Sequence, residues 1–383
     1  MDRGEVSILV LLDLSKCFDV VPHEKLLQKL TLYGIDNRWF RNYLDGHTQQ
    51  VQIRSTADGS TILSQTKENT IGVYQGGSLS CILFMLYANE LGLYVPNSVT
   101  VVQFADDTQL LISGKKGDLT LLVKTMEDAL SALYQWFCAN GMKVNATKTQ
   151  MVVLGTPAML RNMPPVEIRF CGSAVHDSGV VTNLGVTMDR HLNYQSHIDI
   201  MTRKCTGVLV ALNHARHVIP KSVLKPIVQG LVISIVRYVL SVYGTCGEQQ
   251  MRRVQKVLNF CARVVTGRHR YEHVSDVFHK LRWMCASELL YYHILCMVHN
   301  VIVAELLKAI ASTIRETGDQ RYTHATRNSA LITLPHIRTE AGRRRLHYSA
   351  VNSYNQLPFT PHITSFRRQL KRCILPRDDI HEL

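Results

Sequence analysis

Residues 99–112 read Val-Thr-Val-Val-Gln-Phe-Ala-Asp-Asp-Thr-Gln-Leu-Leu-Ile, two apolar runs that meet at a pair of acids. Both runs are rich in residues that favour strands, so the stretch predicts a β-hairpin with Asp106 and Asp107 at its tip. Adjacent carboxylates raise each other's pKa and cost stability unless a cation neutralises them. A divalent metal site is therefore one interpretation of this tip, and an ordinary Asp-containing turn is the other.

A third acid ends another predicted strand. The run Val6-Ser-Ile-Leu-Val-Leu-Leu precedes Asp13 and is typical of a strand that is buried on both faces. If this strand lies beside the hairpin, a strand spacing of about 4.8 Å brings Asp13 and Asp106 within reach of a shared metal. Such carboxylates suit two Mg²⁺ ions about 3.5–4 Å apart that promote phosphoryl transfer. Asp107 points to the other face, since successive strand residues alternate.

Helix and strand patterns alternate through the rest of the first half. Helices are predicted where apolar residues recur at helical spacing before a Gly, and strands where short apolar runs occur. The predicted elements after Asp13 are a helix over 22–33 that stops at Gly34, a hairpin over 48–65 around Asp58-Gly59, a buried helix over 78–93, a helix from the N-cap Asp118 to Gly141, and a strand over 150–154.

In chain order these elements are strand, helix, two-stranded hairpin, helix and strand. This is the split βαβ, ferredoxin-like order of an α+β fold, with residues 22–70 inserted after the first strand. The first strand and the hairpin are central neighbours in that topology. The predicted topology therefore places Asp13 near Asp106 without any argument from their charge.

Composition limits the classes of protein. A chain of 383 residues with 46% hydrophobic residues can form two or three packed domains. Its ten cysteines include no CxxC pair, which argues against a disulfide framework or a zinc ribbon and favours a reducing, intracellular compartment, nucleus or cytoplasm. No signal peptide is evident, and the longest apolar stretch, residues 227–244, contains Gln229 and Arg237. We therefore expect a packed helix there and no membrane insertion.

Basic residues are concentrated in the C-terminal half. Residues 1–190 contain 16 Lys+Arg and 18 Asp+Glu, a net charge of −2. The remaining residues contain 27 Lys+Arg and 12 Asp+Glu, a net charge of +15, and so account for the whole excess of +13. Such asymmetry favours a polyanion partner, above all a nucleic acid, although a solvated surface is the alternative. Residues 251–263 predict a helix with an apolar face at Val254, Leu258 and Cys261. Its basic residues are Arg252, Arg253, Lys256 and Arg263.

Five successive stretches resemble reverse-transcriptase motifs, in the order of that family, and are most similar to those of non-LTR (LINE-type) retrotransposons. They are Asp13-Leu-Ser-Lys-Cys-Phe-Asp19, Gly72-Val-Tyr-Gln-Gly76, Phe104-Ala-Asp-Asp107, Gly141-Met-Lys-Val-Asn-Ala-Thr-Lys148 and Leu184-Gly-Val-Thr-Met-Asp189. Further similarity at residues 283–301 and 339–344 extends the resemblance over nearly the whole chain. It implies an RNA-directed DNA polymerase that uses an RNA template, a DNA primer and dNTPs.

The resemblance implies roles for individual residues. Asp13 and Asp106 would hold two Mg²⁺ or Mn²⁺ ions, with Asp107 beside them. Phe18 matches the aromatic under the incoming sugar that excludes a 2′-hydroxyl, although a merely buried aromatic is the alternative. The residues matched to the templating base pair and to the triphosphate are Gln75, Gly76 and Lys148, the last of which is otherwise a solvated surface lysine.

The resemblance also implies a division of the chain into domains. Residues 1–190 would be a ferredoxin-like polymerase palm with a partial fingers insertion at 22–70. Residues 191–310 would be a mostly helical, thumb-like region in which Arg252, Arg253 and Lys256 contact nucleic acid. Residues 311–383 would be a basic C-terminal region, where Arg343–Arg345 and the bases of 367–372 are interpreted as nucleic-acid contacts, import signals or solvated surface.

Several positions depart from the family pattern. Tyr74 replaces a usual Pro, Gly77 a common Ser, Ser80-Cys81 a usual Gly-Pro, and His47 a frequent Arg. Only twelve residues precede Asp13, so the N-terminal fingers and an upstream endonuclease are not in this sequence, as expected for an incomplete, N-terminally truncated copy.

Three hypotheses follow. The first is an RNA-directed DNA polymerase, and the second is a catalytically silent, nucleic-acid-binding remnant of a retroelement. The third is an unrelated metal-dependent phosphotransferase or nuclease that uses the same carboxylates.

Overall fold

The structure, a computed structural model, describes residues 4–302, Tyr354, Gln356, Leu357 and 366–375. The described chain divides into two compact units, residues 4–181 and the residues from Thr182 onward. The domain boundaries expected at 190 and 310 stay predictions, and the second of them lies outside the described residues. So do the similarity at 339–344 and the bases Arg343–Arg345.

The bounds of the regular elements are as follows. The strands are β1 (Val6–Leu12), β2 (Leu14–Ser15), β3 (Thr48–Gln49), β4 (Gln52–Arg54), β5 (Thr61–Leu63), β6 (Lys67–Glu68), β7 (Val99–Phe104), β8 (Asp107–Gly114), β9 (Lys143–Val144), β10 (Gln150–Leu154), β11 (Glu167–Phe170), β12 (Ser173–His176), β13 (Val180–Asn183) and β14 (Val186–Asp189). The described helices are α1 (His23–Leu32), α2 (Arg38–Leu44), α3 (Ser80–Ala88), α4 (Leu119–Ala139), α5 (Pro157–Leu160), α6 (Gln195–Ala215), α7 (Lys221–Val228), α8 (Ser234–Arg237), α9 (Leu240–Tyr243), α10 (Glu248–Thr266), α11 (Ser275–Leu281), α12 (Ala286–Ile302) and α13 (Phe366–Ile374).

A four-stranded antiparallel sheet is the centre of the first unit. Its strand order is β10-β1-β8-β7, so β1 lies between β10 and the second strand of the hairpin. This is the order that the split βαβ topology requires, and the predicted α+β fold class is confirmed. Helices α1, α3 and α4 share one apolar core with the strands.

The residue patterns explain these elements. Strand β1 is buried on both faces, because Ile8 and Val10 on one face and Leu9 on the other are all excluded from solvent. Helix α4 buries apolar residues at helical spacing, among them Met126, Leu130 and Leu133, and is followed by Gly141, whose φ of +75° ends it. Asp118 occupies the N-cap position of α4, but its side chain makes no capping hydrogen bond.

One predicted helix of the first unit differs from the observed one. The helix expected over 78–93 is shorter, since α3 ends at Ala88 and a 3-10 turn follows at Leu91–Tyr94. Between them, the Glu90 carboxylate accepts hydrogen bonds from Lys29 and Trp136, which ties this point to two other helices. The hairpin around Asp58-Gly59 is confirmed by the pairing of β4 with β5.

The apolar stretch 227–244 is not one helix. A π-helical turn at Gln229–Ile233 follows α7, and the left-handed Val239 (φ 52°) separates α8 from α9. Val228, Val232 and Val236 are nevertheless buried, so the stretch packs inside the second unit as expected. Within the residues that the structure describes, no helix has the length and apolar character to cross a bilayer.

Candidate functional site

Three acids meet at one end of the central sheet. Leu12 pairs with Thr108 at the end of the β1/β8 ladder, so the same register continued by one step sets Asp13 opposite Asp107. Phe104 pairs with Asp107 across the hairpin, which leaves Ala105 and Asp106 as its two-residue turn. Ala105 takes a left-handed conformation (φ 52°) that makes this tight turn possible. The two strand ends therefore bring Asp13, Asp106 and Asp107 together.

The charges of these acids act on one another. Burial, followed by the charges of Asp106 and Asp13, raises the pKa of the Asp107 carboxyl above its ordinary value. This mutual repulsion is what sequence reasoning predicted for the site, and it is relieved when a cation is bound.

Cys17 is a member of this site that sequence reasoning missed. It begins the 3-10 turn Cys17–Val20 and is buried. Burial, the charge of Asp106 and a hydrogen bond to the Asp106 carboxylate together raise the pKa of its thiol to about 12. The thiol is therefore a neutral donor to Asp106 at physiological pH. Its spacing of four residues from Asp13 was the available signal, but spacing alone does not indicate a contact with Asp106.

The donor chemistry of the three acids fits a hard divalent cation, because carboxylate oxygens are the ligands that Mg²⁺ and Mn²⁺ prefer. Among the described residues, no three His, Cys, Asp or Glu side chains already surround a common ion position. The roles of Asp13, Asp106 and Asp107 as metal ligands stay predictions.

The loop Gly72–Gly77 is bound to the turn that follows Asp13. Val73 N donates to Phe18 O (2.7 Å), and Gln75 Nε2 donates to Asp19 Oδ1 (2.8 Å). Gly72 is required at its position, since a Cβ there would lie 2.8 Å from Asp19 O and its φ is +89°. The structure thus brings together Phe18 and Gln75, which the sequence analysis had assigned to one nucleotide site.

Phe18 and Gly76 differ in how closely they are surrounded. The Phe18 ring stacks on the buried Phe84 of α3, with centroids 4.8 Å apart, so its position is set by the core. Gly76 is exposed, has a φ of +82°, and would meet no atom within 4 Å if it carried a Cβ. A backbone of this kind leaves room for a large group to approach closely.

Lys148 lies in a turn next to Asp13. Strand β9 pairs with β2, and the backbone N of Asn145 donates to Asp13 O (2.8 Å). Lys148 N closes the following turn onto Asn145 O (3.2 Å), and its side chain is exposed. The backbone of this turn is therefore close to the acids, while the function of the Lys148 ammonium stays a prediction.

The bases predicted on α10 lie in the second unit. Arg252 is exposed and forms a salt bridge with Glu248 one turn earlier (2.8 Å), and Lys256 is exposed as well. Arg253 forms an ion pair with Asp199 of α6 and donates to Gln250 Oε1 (3.0 Å). Arg253 is thus committed to contacts within the unit, which the amphipathic pattern alone did not indicate. The predicted apolar face is confirmed, since Val254, Leu258 and Cys261 are buried.

Comparisons with known proteins identify relatives. Residues 1–188 match the family described as "Reverse transcriptase (RNA-dependent DNA polymerase)". The chain is 21% identical over 329 residues to the probable RNA-directed DNA polymerase from transposon BS of Drosophila melanogaster, which covers 80% of this chain and 35% of that protein. It is 31% identical over 173 residues to the retrovirus-related Pol polyprotein from type-2 retrotransposable element R2DM of Drosophila melanogaster, covering 43% of this chain and 15% of that protein.

Among solved structures, the chain is similar to telomerase from Candida tropicalis in complex with a TWJ fragment of telomeric RNA. The identity is 13% and the TM-score 0.31, over 80% of this chain and 48% of that one. The chain spans about a third or less of the length of the curated relatives that it matches.

Proposed function

Residues 1–188 belong to the reverse transcriptase (RNA-dependent DNA polymerase) family and are of the non-LTR retrotransposon type, and from this premise we propose that the chain extends a DNA primer on an RNA template. The observation that supports the proposal is the meeting of Asp13, Asp106 and Asp107 at one end of the sheet. Burial, followed by the charges of Asp106 and Asp13, raises the pKa of Asp107, and a bound cation would offset both effects.

Asp13 and Asp106 would hold two Mg²⁺ or Mn²⁺ ions, with Asp107 beside them. When bound, such ions activate the primer 3′-hydroxyl and neutralise the charge that develops on the transferred phosphate. The chain itself contributes the position of the ligands, which is set by the β1/β8 register and by the turn at Ala105. The buried Cys17 thiol, which interacts with Asp106, would help to orient that carboxylate.

Other residues bind and orient the substrates. Phe18, held by Phe84, presents a rigid ring under the sugar of the incoming dNTP and excludes a 2′-hydroxyl by contact. The open backbone at Gly76 lets the templating base pair approach, and Gln75 is oriented for that pair by Asp19. Lys148 would bring a positive charge to the triphosphate and so stabilise the leaving pyrophosphate. Arg252 and Lys256 would contact phosphates of the template and primer.

A primer-extension assay tests this function. The full chain, an RNA template, a DNA primer and dNTPs are combined with Mg²⁺ or Mn²⁺, and extension of the labelled primer is measured. Asp106→Asn removes the charge and keeps the shape, so we expect extension to fall at least on the order of 100-fold. The matched control is Asp118→Asn, an exposed acid beyond the other end of β8, and it should leave extension unchanged.

Three results would contradict the proposal. Extension that Asp106→Asn leaves intact would remove these acids from the mechanism. Salt-sensitive binding of the hybrid without any extension by the unmodified chain would favour a silent nucleic-acid-binding protein. Cleavage of a labelled strand in the absence of dNTPs would favour a nuclease.

A further inference from the structure

Helix α13 has one buried and one strongly basic face. Phe366 and Leu370 are buried, and the Phe366 ring stacks in parallel on His299 of α12, with centroids 3.9 Å apart. Ile374 is partly buried against the same core, so the apolar face of α13 packs within the second unit. The exposed bases of the helix are Arg367, Arg368, Lys371 and Arg372.

A fifth base from another helix reaches the same region of α12. Arg237, exposed at the end of α8, donates from Nε to Nε2 of His293 (3.2 Å). Since an arginine can only donate, this imidazole nitrogen accepts and His293 is neutral. Burial and then the Arg237 charge lower the pKa of His293, which agrees with that state. The two terminal amino groups of Arg237 remain suited to a bidentate oxyanion contact.

Within the described chain, Lys371, like Arg237, contacts a neutral side chain and not a carboxylate. Its ammonium lies over the ring of Tyr292, 5.6 Å from the centroid, which is a cation–π contact. Arg367, Lys371 and Arg237 also act on Cys296, one turn beyond Tyr292, and each favours its thiolate, although burial keeps the pKa of that thiol raised. Three cations from two helices therefore converge on one stretch of α12.

These cations are not neutralised by carboxylates within the part of the chain that the structure describes. The ion pairs formed there involve other bases, such as Arg252 with Glu248 and Arg268 with Asp276. Positive charges gathered without acidic partners repel one another and cost stability unless an anion binds. We call the exposed bases Arg237, Arg367, Arg368, Lys371 and Arg372 the α13 basic surface.

We propose that the α13 basic surface binds the phosphate backbone of a nucleic acid, as a contact additional to the carboxylate site. Residues 367–372 extend over about 7.5 Å of helix at about 1.5 Å per residue. Successive phosphates of one strand are about 3.4 Å apart along the axis of a duplex, so this length matches two or three of them. A single small anion would contact only part of such a surface. The proposal does not require the chain to polymerise.

The structure favours nucleic acid over a membrane as the polyanion. A basic amphipathic helix binds a bilayer by inserting its apolar face among the lipids. Phe366 and Leu370 of α13 are buried, and Ile374 packs against the same core, so these side chains are not available for insertion. The exposed part of the surface is polar, as expected for contacts to a phosphate backbone.

The test measures how binding depends on salt. The full chain is titrated into a fluorescent RNA/DNA hybrid in EDTA, where no synthesis occurs. Each lost duplex phosphate contact lowers the slope of log K against log salt by about 0.9. When salt is raised from about 50 to about 200 mM, the unmodified chain should therefore lose about tenfold more of its affinity than the double variant Arg367→Gln/Lys371→Gln.

The matched control is Arg268→Gln/Lys280→Gln, which removes two charges from the same unit at bases that face Asp276. It should retain the unmodified slope. Arg237→Gln should lower the slope by about 1, and Lys371→Arg should leave it unchanged. Because the last two variants alter one side chain each, they test the proposal even if the double variant folds poorly. Thermal unfolding of every variant checks the fold.

Several outcomes would overturn the proposal. One is a slope that the double variant and Arg237→Gln leave unchanged, and another is an equal drop in the control. A third is binding to phosphatidylserine vesicles that depends on Arg367 and Lys371 while binding to the hybrid does not. None of these outcomes bears on the polymerase proposal, because primer extension and its loss in Asp106→Asn are measured in a separate assay.

Discussion

The imidazole ring of His47 packs against the phenol ring of Tyr74, with their centroids 4.4 Å apart. These residues are two of the positions at which the chain departs from the family pattern, and the structure makes them neighbours. Tyr43 packs edge-on against Tyr74 (5.8 Å), and Tyr74 OH donates to Leu44 O (3.3 Å). The loop that carries Gln75 is therefore attached to α2 by aromatic contacts.

We expect His47 and Tyr74 to be energetically coupled. In a double-mutant cycle with His47→Ala and Tyr74→Ala, the coupling should be about 0.5–1.5 kcal/mol, as for other aromatic pairs. Urea unfolding of the four proteins measures it. Tyr74→Phe keeps the ring and serves as the control, with the coupling preserved. Strictly additive single effects would mean that the two rings only happen to be adjacent.

Gly72 and Gly76 should respond very differently to the same change. Both have positive φ, but only Gly72 would place a Cβ against the backbone of Asp19. Gly76→Ala should cost about 1–2 kcal/mol for its left-handed conformation alone. Gly72→Ala adds an overpacking cost, so the total should reach about 2–5 kcal/mol. Denaturant unfolding compares the two, and equal losses would contradict the close approach between Gly72 and Asp19.

The sheet was predictable because local patterns determine it. A strand buried on both faces, a hairpin with acids at its tip and an amphipathic helix each have their own periodicity, and the family topology allows one neighbour order. Once β1 pairs with β8, the positions of Asp13 and Asp107 follow from the register. The sequence alone could therefore place Asp13 and the acids of the hairpin tip at the same end of the sheet.

Contacts between residues that are distant in sequence were not predictable in the same way. The hydrogen bond of Cys17 to Asp106, the packing of His47 on Tyr74 and the ion pair of Arg253 with Asp199 have no local pattern. The break at Val239 was missed because its left-handed backbone is disfavoured for a β-branched residue. Periodicity reports which face of an element is buried and not which partner covers it.

The pH dependence of stability should reflect the burial of Asp107 and its repulsion by Asp106 and Asp13. A carboxyl whose pKa is higher in the folded than in the unfolded chain binds its proton more tightly when folded. Its contribution to stability is thus present below the ordinary pKa of 3.8 and is lost as pH rises through the raised pKa. Without divalent metal, Asp107→Asn should therefore be more stable than the unmodified chain at neutral pH, and the difference should vanish below that ordinary pKa.

Thermal unfolding in EDTA across this pH range checks the prediction, with Asp118→Asn as the control. Added Mg²⁺ should stabilise the unmodified chain more than Asp107→Asn, since a ligand of the folded state raises its stability. A variant that is less stable than the unmodified chain at neutral pH would show that Asp107 makes a favourable contact instead.

Substitution of Phe18 should change the choice between deoxyribonucleotides and ribonucleotides. The ring is fixed by its stack on Phe84, so in the proposed role under the sugar it would not move aside for a 2′-hydroxyl. Phe18→Val removes this barrier, and we expect the ratio of rNTP to dNTP incorporation, measured as kcat/KM in primer extension, to rise on the order of 10- to 100-fold. Phe18→Tyr retains the ring and should retain the discrimination. If Phe18→Val lowered incorporation of both substrates equally, the ring would support the fold through Phe84 and would not select the sugar.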